Sequence, residues 1–249
     1  MTVPPPSQAQ AVKPQPPRPR VESPLPPRVQ LQIGNGSGDL KLNGSVGLVL
    51  FLGALTLLPA LLMLATSFTR IVIVLHFLRS ALGTQATPPT QLLVAISLIL
   101  TGLVMQPVIN RINAEALQPY FAGRIDQAEA YEAALVPLRE FMLANTRQQD
   151  LDAFAEMAAL PDSSSIDAVP TTTIVSAFVT SELRTAFQMG FVIFLPFIVV
   201  DLVVASVLMS MGMFMLPPQM VSLPFKLLLF VLADGWTLVV RNLVASFHV

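Results

Sequence analysis

The chain has 249 residues, 53% of them apolar and only 12% charged, with a formal net charge of −1 and a mean hydropathy of +0.68. A soluble domain carries about a quarter charged residues, so this composition reads as that of a membrane or membrane-like protein, and the near-neutral balance gives no electrostatic footing for nucleic acid. There is no cysteine and there are only two histidines, His76 and His248, which excludes disulfides, thiolate metal sites, cysteine catalysis and a His-rich metal centre.

Residues 1–42 form a segment of their own. Ten of the 22 prolines fall at or before Pro27, in "PPP", "PQPPRPR" and "PLPP", and "GNGSGD" follows. Such a stretch cannot bury a core and is expected to be a disordered tether, partly polyproline II, with a ligand for a proline-reading domain as the alternative. No short basic region followed by an apolar run occurs before Val46, so no signal peptide is expected in it.

A first apolar hairpin is expected over 43–110. No charge occurs from Leu42 to Thr69, enough for about 20 residues of bilayer, and Pro59 should kink that helix. "LLVAISLILTGLVMQPVI", 92–109, supplies the second arm. Between them "TRIVIVLHFLRSALGTQATPPTQ" carries Arg70 and Arg79 without an acid and is read as a short basic loop ending in a Pro-Pro break.

The polar region 111–170 sets Arg111, Arg124, Arg139 and Arg147 against ten acids, and its pattern is helical. Asp126 with Glu129 three residues on reads as a capping box. Pro137 suits the first turn of a further helix. "DLDAFAEMAAL" is an amphipathic helix stopped by Pro161, "PDSSSIDAVP" a loop, and Pro170 opens the next helix. A second hairpin is expected over 171–249, from Thr185 to Leu216 with an interruption at Asp201, then on beyond a Pro-Pro turn, with bends at Pro196 and Pro224. The expected architecture is therefore all-α: two kinked apolar hairpins joined by a polar helical region.

The short loops are basic and the large one acidic, so positive residues on the cytoplasmic side place 111–170 outside the cytoplasm with both ends on that side. The basic tail, with Lys13, Arg18, Arg20, Arg28 and Lys41, runs against this.

Charges among apolar residues cost about 2.5–3.5 kcal/mol each at a helix centre on insertion scales. Arg184 and Arg241 read as side chains snorkelling from helix ends. Glu182, Asp201 and Asp234 have a single base between Thr185 and Val240, Lys226, which lies eight residues from Asp234, too far for an in-helix pair. Lys226 must look to another helix or another chain, and Asp201 and Asp234 are buried charges without an evident partner. An intramembrane aspartyl dyad of Asp201 and Asp234 would need the two carboxylates close together, which nothing in the spacing fixes. No phosphate loop, nucleophile elbow or metal set is present, and His76 reads as a packed or interfacial side chain. No catalytic activity and no cofactor are expected. A small proton-coupled carrier, with Asp201, Asp234 and Lys226 as its relay, is the alternative, although no internal repeat links 45–110 to 185–248.

The runs "MLATSFTRIVIVLHFLRSALGTQATPPTQLL", "VPTTTIVSAFVTSEL", "PLREFMLANTRQQDLDAFAEMA" and "TSELRTAFQMGFVIFLPFIVVDLVVASVLMSMGMFMLPPQMVSLPFKLLLFVLADGWTLVV" resemble the FliP family of flagellar biosynthetic proteins from about residue 45 onward. The resemblance implies a core subunit of the flagellar type III export gate in the bacterial inner membrane at the basal body. It implies a homo-oligomeric ring of five copies, completed by small Q and R gate subunits, through which unfolded flagellar proteins pass. Much of that ring would stand above the bilayer plane, and the energy would come from elsewhere. Glu182 and Lys226 match positions expected to pair between adjacent subunits. "GMFMLPP" matches a Met-rich loop expected to project into the channel, with Met213, Phe214 and Met215 as its gasket; this chain has phenylalanine where methionine is common. Met209 and Met211 read as packing.

Overall fold

The computed structural model describes residues 49, 51–53, 55–57, 59, 63–84, 87–161 and 166–248. The Pro-rich tail expected over 1–42, much of the first apolar segment and part of the "PDSSSIDAVP" loop lie outside the described residues. The chain divides into Met1–Leu55 and Thr56–Val249. In the first unit the described positions are helical; the second holds every element below. All regular structure among the described residues is helical.

Helix α1, Phe68–Ala81, occupies the segment expected to be a loop. Ile71, Val74, Leu75, Leu78 and Ala81 recur at three- and four-residue spacing and are at most 1% exposed. The apolar stripe outweighs the two arginines because Arg70 finds a buried acid, described below. Burying an aliphatic side chain of this size contributes about 1.5–3 kcal/mol, so the stripe draws this segment to the interior once the charge of Arg70 is met. The helix stops at Gly83, which takes φ +75, a left-handed value that suits glycine at this position.

After the Pro88–Pro89 break, helix α2, Thr90–Ile112, a π-helical turn Asn113–Leu117 and helix α3, Gln118–Phe121, run on as one apolar rod of 32 residues. Helix α4, Gln127–Ala144, starts at the expected capping box: the Glu129 amide donates to Asp126 Oδ1 at 2.8 Å and the Asp126 amide to Glu129 Oε2 at 3.3 Å. Pro137 does not begin a helix. It lies inside α4, buried, because the box at Asp126 has already set the start. Helix α5, Gln148–Met157, and a 3₁₀ turn, Ile166–Ala168, complete the polar region.

Helix α6 begins after Pro170 as expected but runs unbroken over Thr171–Ser210, 40 residues. At 1.5 Å per residue it is about 60 Å long, twice a hydrocarbon core of about 30 Å. Asp201 does not interrupt it, since a lysine on the next helix answers its charge. The two halves differ. Ile174, Ala177, Phe178, Ser181, Glu182 and Ala186 are buried, whereas Phe191, Val192, Val199, Leu202, Val203 and Val207 are exposed apolar surface. Helices α7, Pro218–Leu232, and α8, Gly235–Ala245, follow, bent by 64° at their junction. The rod Thr90–Phe121 and α6 are each long and apolar enough to cross a membrane, and the bent pair α7–α8 would make a third span if counted as one.

The core forms where α1 lies along the middle of α6, from Glu182 to Phe194, with α2 beside α1 and α5 also against α6. Close approach there depends on Gly190: a Cβ at that position would stand 2.5 Å from the Phe77 ring. Phe77 in turn meets Phe187 and Phe194 edge-on, with centroids 5.3 and 6.0 Å away.

Candidate functional site

Arg70 enters the core on the first turn of α1. Its Nε donates to Glu182 Oε2 at 2.8 Å and Nη2 to Glu182 Oε1, a two-point fork on one carboxylate. Nη1 donates to the Ser246 carbonyl at 2.8 Å and to its Oγ at 2.9 Å, and the guanidinium lies 3.9 Å from the Phe247 ring centroid. Arg70 is 3% exposed and Glu182 is fully buried. Charge-assisted paired bonds of this kind are the strong class, and the planar fork explains why arginine rather than lysine stands here.

A second cluster sits where the α6–α7 hairpin leaves the core. Lys226 Nζ donates to Asp201 Oδ2 at 2.6 Å and to the Ala81 carbonyl at 3.3 Å, and Ser222 Oγ donates to Asp201 Oδ1. Lys226 thus joins α7 to α6 and meets a carbonyl left open at the C-terminus of α1, where a cation is favoured. The pairing expected of Glu182 and Lys226 is one between adjacent subunits and involves a second copy; within the chain Glu182 is held by Arg70 and Lys226 by Asp201. Spacing could not show this, because both partners come from other helices.

A third group ties α5 to α6. Asp150, 5% exposed, accepts from Ser181 Oγ at 2.6 Å and pairs with Arg184 Nη2 at 3.1 Å. Arg184 therefore spends its charge on a buried acid and does not simply snorkel. Asp150 drew no attention in the sequence, since an acid in an amphipathic helix usually faces water; the signal available was a serine and an arginine three residues apart on α6, facing it. Asp234 is exposed at the α7–α8 bend rather than buried, its carboxylate in no ion pair among the described residues, and Asp201 is held by Lys226, so no aspartyl dyad forms. His76 sends Nδ1 to the Val72 carbonyl at 2.9 Å. No group of residues that could hold a metal ion occurs among the described residues.

The methionine turn joins α6 to α7. Gly212 takes φ +77, its amide donates to the Met209 carbonyl at 3.0 Å, and the Met213 amide donates to the Leu208 carbonyl at 3.0 Å, the paired bonds of a glycine helix stop. Pro217 and Pro218 open α7. Met213, Phe214 and Met215 stand between on non-helical backbone, 40%, 78% and 98% exposed. Met209 and Met211, read as packing, are exposed in the single chain as well, at 53% and 67%.

Long apolar helices, ion pairs closed inside the apolar core and a thioether-rich turn held out from it define a helical membrane-type protein. The match of residues 51–243 to the FliP family model places the chain within that class: it belongs to the FliP family. It is 50% identical to the flagellar biosynthetic protein FliP of Bacillus subtilis (strain 168) over 217 residues, 87% of this chain and 98% of the relative. It is 52% identical to that of Pectobacterium carotovorum subsp. carotovorum over 82% of this chain and 79% of the relative, and 46% identical to that of Aquifex aeolicus (strain VF5) over 88% and 91%. FliP is a component of the flagellar export apparatus and not an enzyme.

Proposed function

We propose that the chain is a channel-forming subunit of the flagellar type III export gate, set in the inner membrane at the basal body, and that its methionine turn is the gasket of that channel. In this reading about five copies assemble with small Q and R subunits into a ring through which unfolded flagellar proteins pass. The observation that carries it is the exposure of Met213, Phe214 and Met215 on a turn that no helix constrains. Side chains with three rotatable bonds can close on one another or around a passing chain, and an apolar constriction stops ions by dewetting. Phe214 adds a stiffer, wider plug than a third methionine would. The exposed apolar surface of α6 and α7 supports assembly, since neighbouring subunits satisfy it as well as lipid does. A carrier would need Asp201 and Lys226 free to bind and release, and each already holds the other.

The experiment is to shorten Met213, Phe214 and Met215 together to alanine. The ring should still assemble, while the membrane becomes leaky to ions and small solutes when the gate is expressed. Loss of the ring without added conductance would mean that these side chains are packing; an intact ring of unchanged tightness would end the gasket reading.

A further inference from the structure

Helix α8 is held at its two ends by different means. At its start the chain turns through Asp234, which takes φ 47 with no side-chain bond to the helix it opens. A non-glycine residue in this region carries strain that persists only where its surroundings hold it there. The next residue, Gly235, allows the bend to be tight: a Cβ there would come within 2.2 Å of the Phe230 ring. At its far end the segment 246–248 is fastened by a compact set of contacts. Ser246 accepts from Arg70, Phe247 stacks on Phe141 with centroids 6.4 Å apart, and Asn145 exchanges two bonds with the His248 backbone, Nδ2 to the carbonyl at 2.9 Å and the amide to Oδ1 at 3.1 Å.

Between hinge and fastening, α8 does not fill the space beneath it. An apolar cleft of about 520 Å³, half open to the outside, lies among Val74, Leu78, Met189, Phe197, Phe230 and Val239. Along this cleft no side chain among the described residues fills the space beside α8, which forgoes the dispersion contacts that would hold it there. Packing left open along one side, a strained start and a fastening concentrated at the far end are the marks of an element that opens below the global unfolding free energy.

We propose that α8 and residues 246–248 form a strap, hinged at Asp234 and latched by Asn145 and Phe247, which must release during the working cycle of the gate. The latch joins the end of α4 to the strap, so release uncouples the polar region from the helix that follows α7. α7 itself stays in place, because Lys226 ties it to Asp201 and to the end of α1. This rests on the export-gate reading only for its cycle; the latch and hinge are properties of the chain.

Two measurements on the full chain test it. With no native cysteine, a cysteine at fully buried Leu243 reports the strap alone, in the assembled complex in membranes. Asn145→Ala, and separately the milder Phe247→Leu, should speed maleimide labelling of Leu243→Cys about tenfold or more, the signature of local opening. Unchanged labelling in both would overturn the strap. In the second measurement Asn145→Cys with His248→Cys, or Phe141→Cys with Phe247→Cys if the first pair folds poorly, is oxidised to lock the latch. Export of a flagellar substrate should fall about tenfold on oxidation and recover with reductant, as a reversible local opening requires. Full export from the locked form, or failure of either pair to cross-link, would overturn the proposal. Failure of the gate reading shows differently: the unmodified chain would not restore export to a strain lacking its own copy, whatever the labelling of Leu243→Cys.

Discussion

Arg70 shows how a single residue can decide whether a segment is loop or core. A guanidinium in an apolar interior is tolerated only if each of its nitrogens finds an acceptor, and here Glu182 and Ser246 supply them. Breaking one side of such a pair leaves an uncompensated buried charge, which typically costs about 3–5 kcal/mol. Glu182→Ala should therefore lower the folded yield and the thermal midpoint in detergent sharply. Arg70→Met with Glu182→Leu should recover much of that loss, because an apolar replacement of a buried pair removes both desolvation costs. If the double variant melts no higher than Glu182→Ala, the pair is not the reason for the loss. Lys226 differs in placement: it joins α7 to Asp201 on α6 and to the end of α1, so its removal should loosen the α6–α7 hairpin more than the core.

Among the elements, the polar region is tied to the apolar rod by Arg111, which donates to Glu115 one turn on and to Glu140 on α4. That hydrogen bond from Arg111 holds the Glu140 carboxyl below the ordinary carboxylate range. The folded value is the depressed one, so the link contributes above the unfolded carboxylate value, about 4.3, and is lost as pH falls through the folded value. Both side chains are about half exposed, so water screens the pair and the effect should be small. Hydrogen exchange in α4, corrected for its intrinsic pH dependence, should rise slightly in acid in the natural chain. The change should be absent in Glu140→Gln; equal acid sensitivity in both would show that the link does not hold α4.

For the molecule as a whole, the length of α6 sets the problem. A helix of about 60 Å is twice the thickness of a hydrocarbon layer of about 30 Å; its buried positions are concentrated in its first half, from Thr173 to Gly190, while most of its second half is exposed apolar surface. The buried half belongs with the polar region and the exposed half with lipid or neighbouring subunits. We propose that 111–170 lies outside the cytoplasm, the placement expected from the basic short loops of the sequence. A cysteine in place of exposed Glu132 should then react with an impermeant thiol reagent in intact spheroplasts, and reaction only after lysis would reverse the orientation.

The sequence by itself determined the helical class, the capping box at Asp126, the start of α6 after Pro170 and the glycine-to-proline turn that carries Met213, Phe214 and Met215. Each follows from short-range rules of periodicity, capping and backbone freedom that act within a few residues. The family could be read as well, because long runs of side chains in order are themselves local information. The tertiary structure alone decided that α1 is core and not a loop, that α6 passes Asp201 without a break, and that Glu182 belongs to Arg70 and Lys226 to Asp201. These depend on partners 112 and 25 residues away in the chain. A charge in an apolar segment costs about the same whether or not a partner exists elsewhere, and only the packed helices bring that partner within reach.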